Sequence, residues 1–218
     1  MRKLSSSSAH PALVTFGEAL LTYKPRPADG SSTPLPLASP ACEVVQAVGG
    51  AELNVAVAFS RISTAPAAAS FVTVLPEGVL GNHVREAAHD AGVVTEGVVI
   101  DTTPHAALGT LHVVDEGSGP RPQYQRHHSS FCTTLSPAAR APPFDWPRLL
   151  QSSRWLHVTG ITPLLGEGPR AAWDAAIEAA AATAGCQVSL DFNHRPALGT
   201  LDDLWAMVAP HVASGAIA

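Results

Sequence analysis

The sequence predicts an α/β fold in which helices cover both faces of a central, mostly parallel sheet. Two observations predict it. Short apolar runs rich in β-branched and aromatic residues alternate with segments of helical period over most of the chain, which is the pattern of βαβ units. The composition agrees: of 218 residues, 46% are apolar and 14% charged, so a sizeable core can form. Charged residues make up about 25% of ordinary domains. The length suits one such domain rather than two.

Each element has its own local reason. Met1 to Pro11 is polar and short, and reads as a disordered start rather than a secretory leader. Leu13 to Tyr23 is apolar and β-rich at its beginning, a first buried strand. Pro25 to Pro40 holds five prolines and a glycine and reads as a loop, followed by a short strand over Glu43 to Val48. Gly49 to Ser63 is the clearest helix, with Leu53, Val57 and Ile62 assigned to one face and alanines filling the rest. Ser70 to Leu75 is a strand and Pro76 to Gly78 a turn. Leu80 to Ala91 is a helix stopped by Gly92. Val93 to Ile100 and Leu108 to Asp115 read as strands, Gly117 to Pro122 as a turn, and Gln123 to His128 as a returning hairpin arm. Because it is strand-rich, the stretch from about Val93 to His128 is expected to form a separate β element at the edge or over the sheet. Trp155 to Thr159 is a strand, and Pro169 to Ala184 an Ala-rich helix closed by Gly185. Gln187 to Phe192 is a strand running into a loop, and Leu201 to Val212 the last helix.

Several function classes drop out. Lys and Arg total 13 and Asp and Glu 18, a formal charge of −5, so the basic footprint of a nucleic-acid binder is absent. No run approaches the roughly 18 apolar residues of a membrane span. Cys42, Cys132 and Cys186 are far apart, which fits a reducing compartment better than a disulfide framework or a zinc ribbon. The phosphate-binding G-x-x-x-x-G-K-[ST] and dinucleotide G-x-G-x-x-G patterns are missing, as is the G-x-S-x-G elbow of a hydrolase. The histidines lack metal-ligand spacing and read as surface or loop residues. The four tryptophans read as core or rim anchors.

Three features point to a ligand site. Gly49-Gly50 before a helix lets a polyol or anion approach bare backbone N–H groups at a helix N-terminus, although paired glycines alone also make an ordinary tight turn. Asn54 follows in the first turns of that helix, where an amide on an otherwise apolar segment is expected to bond something specific. In a strand, Tyr124 and Arg126 point the same way and could grip hydroxyls and a carboxylate, or could simply be a solvated edge. Asp191, Asn193 and Arg195 follow an apolar strand at alternate positions, and ligands of open α/β sheets bind outside the carboxyl ends of the strands. Glu18, at the end of the first strand, could touch a ligand hydroxyl or serve as a cap or loop residue.

Six segments in order resemble the PfkB, or ribokinase-like, carbohydrate kinase family. They are Phe16 to Leu20, Gly49 to Ala56, Leu75 to Gly81, Tyr124 to Phe131, His157 to Pro163, and Ser189 to Arg195. The Tyr-x-Arg, Thr-Gly-Ile-Thr-Pro and Asp-x-Asn-x-Arg segments look most similar to 2-keto-3-deoxygluconate kinases. The resemblance implies a ribokinase-like α/β fold with a small β lid. It places one domain over 12–218, with lid segments over about 36–48 and 93–128 and a disordered start over 1–11. It implies ATP-dependent, Mg²⁺-assisted phosphoryl transfer in the cytoplasm to a hydroxyl of a sugar or sugar acid, most similarly 2-keto-3-deoxygluconate. A homodimer through the lid is a further implication, while neither nucleic acid nor membrane is implied. Gly49, Gly50, Asn54, Tyr124, Arg126, Asp191, Asn193 and Arg195 match substrate-binding positions.

The sequence also departs from the family. The Asn-x-x-Glu segment tied to Mg²⁺ and phosphate, and the Gly-Ala-Gly-Asp segment carrying the anion hole and catalytic base, are not among the 218 residues. The expectation is therefore a match to the N-terminal two-thirds of the family, with no catalytic residue in this chain and the main ATP and Mg²⁺ segments outside it. Leu75-Pro76-Glu77 replaces a common Val-Gly-Asp, and Pro104 to Leu108 matches poorly. Three alternatives stay open: a fructokinase- or ribokinase-type member of the family, a catalytically inactive sugar-binding or dimerising module, and an unrelated α/β binding protein whose motifs match by chance.

Overall fold

The computed structural model describes residues 10–27, 42–115, 119–135 and 143–217. Ten strands and six helices alternate along these residues. They are β1 (Leu13–Phe16), β2 (Leu20–Pro27), β3 (Cys42–Gly49), α1 (Ala51–Ile62), β4 (Ala69–Pro76), α2 (Val79–Asp90), β5 (Val93–Val94) and β6 (Val98–Asp101). Then come β7 (Gly109–Asp115), β8 (Pro120–Gln125), α3 (Ser130–Thr134), α4 (Trp146–Leu150), β9 (Trp155–Thr159), α5 (Glu167–Ala182), β10 (Gln187–Asp191) and α6 (Leu201–Ala213).

The central sheet has the order β10-β9-β1-β4-β5, with β6 also pairing β4, and every pairing in it is parallel. Its two faces are visible residue by residue, because side chains alternate along a strand. Val14 and Phe16 of β1 and Val72 and Val74 of β4 join one core with Phe131, Trp146, Trp173 and Leu204 from α3, α4, α5 and α6. Leu13 of β1 and Phe71 of β4 join a second core with Leu53 of α1 and Val84 of α2. A sheet covered on both faces is the predicted α/β architecture. Phe16 anchors the first core, with the rings of Phe131, Phe144 and Trp146 at 5.1–5.5 Å. Trp146 and Trp173 are buried, whereas Trp155 and Trp205 are rim residues.

A second sheet, of order β3-β2-β7-β8, is built from β-hairpin pairings and one parallel contact, β2 with β7. Its existence corrects three expectations. The first strand is two: the chain breaks at Gly17 to Ala19, β1 stays in the central sheet and β2 leaves for the second. The proline-rich stretch is partly strand, with Pro25 and Pro27 inside β2; the rest of the predicted loop, 28–40, lies outside the described residues. Proline is tolerated there because β7 pairs only with Leu20 to Tyr23, leaving one side of the later strand as an edge. The β stretch expected over 93–128 divides. Val93 to Asp101 forms β5 and β6 of the central sheet, and only β7 and β8 join β2 and β3. Of the predicted turn over Gly117 to Pro122, Pro120 to Pro122 belong to β8 and residues 117 and 118 lie outside the described residues.

Smaller corrections concern faces and ends. Ile62 is 80% exposed while Leu53 is buried. Nine residues is two and a half turns at about 3.6 residues per turn, so the two lie on opposite faces, and the inward neighbours of Leu53 are Glu52 and Ala56. The short helices α3 and α4, and a 3₁₀ turn over Thr162–Leu165, carry too few residues to show a period. The disordered start over 1–11 falls on residues outside the description except for its last two. Of these, Pro11 accepts a hydrogen bond from the Ser153 hydroxyl at 2.9 Å.

Candidate substrate site

The two sheets enclose a cavity of about 420 Å³ above the carboxyl ends of β9 and β10. All eight residues singled out from the sequence line it. Three segments of the chain bring them there.

Gly49 ends β3 and Gly50 is the N-cap of α1, with φ of 145°. A Cβ at Gly50 would lie 2.5 Å from the Glu18 carbonyl oxygen, so the glycine is required by the close crossing of two backbone segments as well as by its place on the cavity. One turn on, the Asn54 side chain is exposed, and its amide has no partner among the described residues. It is free to bond a ligand.

Tyr124 lies in β8 and is 40% exposed. Arg126 lies one residue beyond the strand and is 7% exposed. Strand alternation therefore does not align the two side chains. They meet because the guanidinium carbon stands 4.6 Å from the centre of the Tyr124 ring, a cation–π contact. The Arg126 charge is also not free: its Nε lies 3.3 Å from Glu18 Oε2.

Asp191 ends β10, and its Oδ1 accepts the backbone N–H of Asn193 at 2.8 Å. This closes a local turn that holds Asn193 at φ of 41°, a left-handed conformation that asparagine tolerates better than most residues. The turn, rather than strand alternation, carries Asp191, Asn193 and Arg195 onto one wall. Tyr124, Arg126, Ile161 and Arg195 also border an adjoining, more apolar cavity of about 350 Å³, so both arginines stand where the two spaces meet.

Sequence reasoning missed several residues of the site. Lys24, His157 and Thr159 line the same cavity. His157 is buried in β9, not a surface or loop residue. Its Nδ1 pairs with the Ser189 hydroxyl at 3.0 Å, and its Nε2 has no hydrogen-bond partner. Burial pushes its pKa below the usual histidine value, with the nearby Asp191 carboxylate opposing, so the ring is neutral at pH 7. His211 is likewise buried, with Nε2 2.7 Å from Asp174 Oδ1. Beneath the cavity the Glu52 carboxylate accepts the hydroxyls of Thr159 at 2.7 Å and Thr162 at 3.3 Å. Burial raises its pKa, and these hydrogen bonds oppose the rise. A lone glutamate beside Leu53 on the inward face of a helix was the available signal.

Glu18 neither caps a helix nor lines the cavity. It is buried, accepts the Ser129 hydroxyl at 2.6 Å and pairs with Arg126. Its pKa rises to about 7 because desolvation outweighs Arg126 and Ser129.

Among the described residues no three His, Cys, Asp or Glu side chains come together as metal donors. Of the two carboxylates closest to the site, Asp191 lines the cavity and Glu52 is spent on two threonines. These residues do not by themselves fit a Mg²⁺ ion.

Residues 12–213 match the sequence pattern described as pfkB family carbohydrate kinase. A 2-dehydro-3-deoxygalactonokinase of Haloferax volcanii is 28% identical over 194 residues, covering 88% of this chain and 54% of that protein. The crystal structure of a 2-dehydro-3-deoxygluconokinase from Thermotoga maritima superposes with a TM-score of 0.74 at 29% identity, over 92% of this chain and 56% of that one. A fructokinase from Xylella fastidiosa with bound ATP superposes with a TM-score of 0.67 at 25% identity, over 91% of this chain and 58% of that one. The chain thus spans little more than half the length of these relatives.

Proposed function

Because the chain belongs to the pfkB family of carbohydrate kinases, we propose that it supplies the acceptor side of an ATP-dependent kinase acting on a 2-keto-3-deoxy sugar acid such as 2-keto-3-deoxygluconate. One observation carries the reading: the eight matched residues, two arginines among them, line a single cavity that also presents Lys24. A sugar acid needs cations for its carboxylate and hydrogen-bonding groups for its hydroxyls. Arg195 is exposed with no ion-pair partner among the described residues and is the first candidate for the carboxylate, with Arg126 beside it. Asn54, Asp191 and the neutral His157 offer donors and acceptors to hydroxyl and keto oxygens. Gly49 and Gly50 let the sugar lie against backbone.

ATP with Mg²⁺ would supply the phosphoryl group. The role that the cavity residues support for this chain is to bind and orient the acceptor. The second sheet acts as the lid over it. The outer strand of that sheet, β3, exposes Val44 and Val45, and a homodimer would form there. Such an enzyme works where ATP is, in the cytoplasm.

Titration calorimetry against 2-keto-3-deoxygluconate, fructose and ribose tests the reading. The keto acid should bind best, and Arg195→Ala should weaken it by about tenfold or more, as for loss of a charge-assisted hydrogen bond. Preferential binding of fructose or ribose would overturn the substrate class. Binding without phosphoryl transfer in the presence of Mg-ATP would favour the inactive-module reading.

A further inference from the structure

The chain crosses between the two sheets four times, and Glu18 lies at the crossings. It sits in the segment from β1 to β2. Its carbonyl oxygen fills the space a Cβ at Gly50 would need, at the passage from β3 to α1. Its Oε1 lies 2.7 Å from where a Cβ of Gly109 would stand, at the entry to β7. Its carboxylate bonds Ser129 and faces Arg126, the two ends of the passage from β8 to α3. Each of the four links between the two sheets therefore passes Glu18, the β3-to-α1 link against its backbone carbonyl and the β7 and β8 links against its carboxylate.

Its partner is oddly placed for a purely structural ion pair. Arg126 borders the cavity and its two neighbouring spaces. Yet Arg126 Nε and Glu18 Oε2 form no well-aligned hydrogen bond despite being buried. A buried, imperfectly satisfied pair is easily disturbed by a competing charge. We propose that Glu18 is the positioning residue for Arg126, holding the guanidinium at the cavity until an anionic ligand claims it, whereupon Glu18 takes up a proton from solvent. This rests on the sugar-acid reading above. The titratable groups facing Glu18 are Arg126 after β8, Glu52 on α1 and Cys132 on α3. Arg126 holds the Glu18 pKa down and Glu52 holds it up. A ligand carboxylate that neutralises Arg126 removes the restraint, so the Glu18 pKa rises and a proton is bound.

The test is calorimetry of 2-keto-3-deoxygluconate binding to the full protein at pH 7, in buffers of different protonation enthalpy. The expected result is uptake of up to about half a proton per ligand, abolished in Glu18→Gln. Binding without uptake, or uptake unchanged in Glu18→Gln, overturns the coupling. Failure of the acid to bind at all overturns the substrate class and the coupling together. The positioning contact is read separately, without ligand, from ¹³C NMR titration of the Glu18 carboxyl. A midpoint near 7 that climbs in Arg126→Gln supports it. A midpoint in the ordinary carboxylate range, or one indifferent to Arg126→Gln, overturns it.

Discussion

Asn54 and Gly50 stand one turn apart and are expected to fail in opposite ways. Asn54 is exposed on a helix and its amide bonds nothing among the described residues. Asn54→Ala should leave stability within about 0.5 kcal/mol of the parent, since alanine suits a helix, yet lower affinity for the sugar acid. Denaturation and calorimetry on one variant read both numbers. Gly50 combines φ of 145° with a backbone oxygen in the path of any Cβ. Gly50→Ala should cost at least about 2 kcal/mol by denaturation, and weakened ligand binding would then follow from displacement of α1. Sequence alone ranked both residues as ligand contacts and could not separate these causes. The separation depends on Glu18, a residue distant in sequence.

At the scale of elements, α6 shows how local rules suffice where the neighbours are near in sequence. The Thr200 hydroxyl accepts the Asp203 N–H at 3.1 Å, while Asp203 Oδ2 accepts the Thr200 N–H at 3.0 Å, a reciprocal cap legible in Thr-x-x-Asp. Thr200→Ala should destabilise the protein by about 1 kcal/mol, measured by urea denaturation. The second sheet shows the reverse. The β1–β2 break and the division of Val93 to His128 between two sheets leave no local trace. The strands on either side of each break have similar β-rich composition, and only the partner strand tells which sheet each one joins. Boundaries of α1, β4, β9 and α6 agreed with the reading to within one or two residues because glycine, proline and a capping pair mark them.

Across the whole molecule, two buried glutamates set a pH dependence. The Glu18 pKa rises from 4.5 to about 7, and that of Glu52 is raised as well, both chiefly by burial. An acid whose folded pKa is raised holds its proton more tightly in the folded state. Its contribution to stability is therefore complete below the unfolded value and is lost as pH climbs through the folded one. The melting temperature of the parent relative to that of Glu18→Gln is expected to fall between pH 5 and 7.5, a difference from which the opposing contribution of buried His157, whose lowered pKa favours the folded state as pH rises, cancels. The Glu18 part amounts to at most about 3 kcal/mol. A scan of melting temperature against pH for both proteins checks it. A parent-minus-variant difference that rises with pH would show instead that Arg126 outweighs desolvation at Glu18.

The sequence by itself determined the fold class, the order of most elements and a set of eight residues that share one cavity. Alternating periods, glycine and proline punctuation and short polar motifs are local in the chain, so they can be read without coordinates. The tertiary structure decided which strands belong to which sheet, that Arg126 is paired with Glu18, and that Lys24 and His157 line the cavity while Glu52 is bonded to Thr159 on its wall. Each of these depends on burial or on contacts between residues far apart in sequence, up to 111 positions for the hydrogen bond from Ser129 to Glu18. Desolvation, which sets the charge state of the two glutamates, exists only once the layers have closed around them.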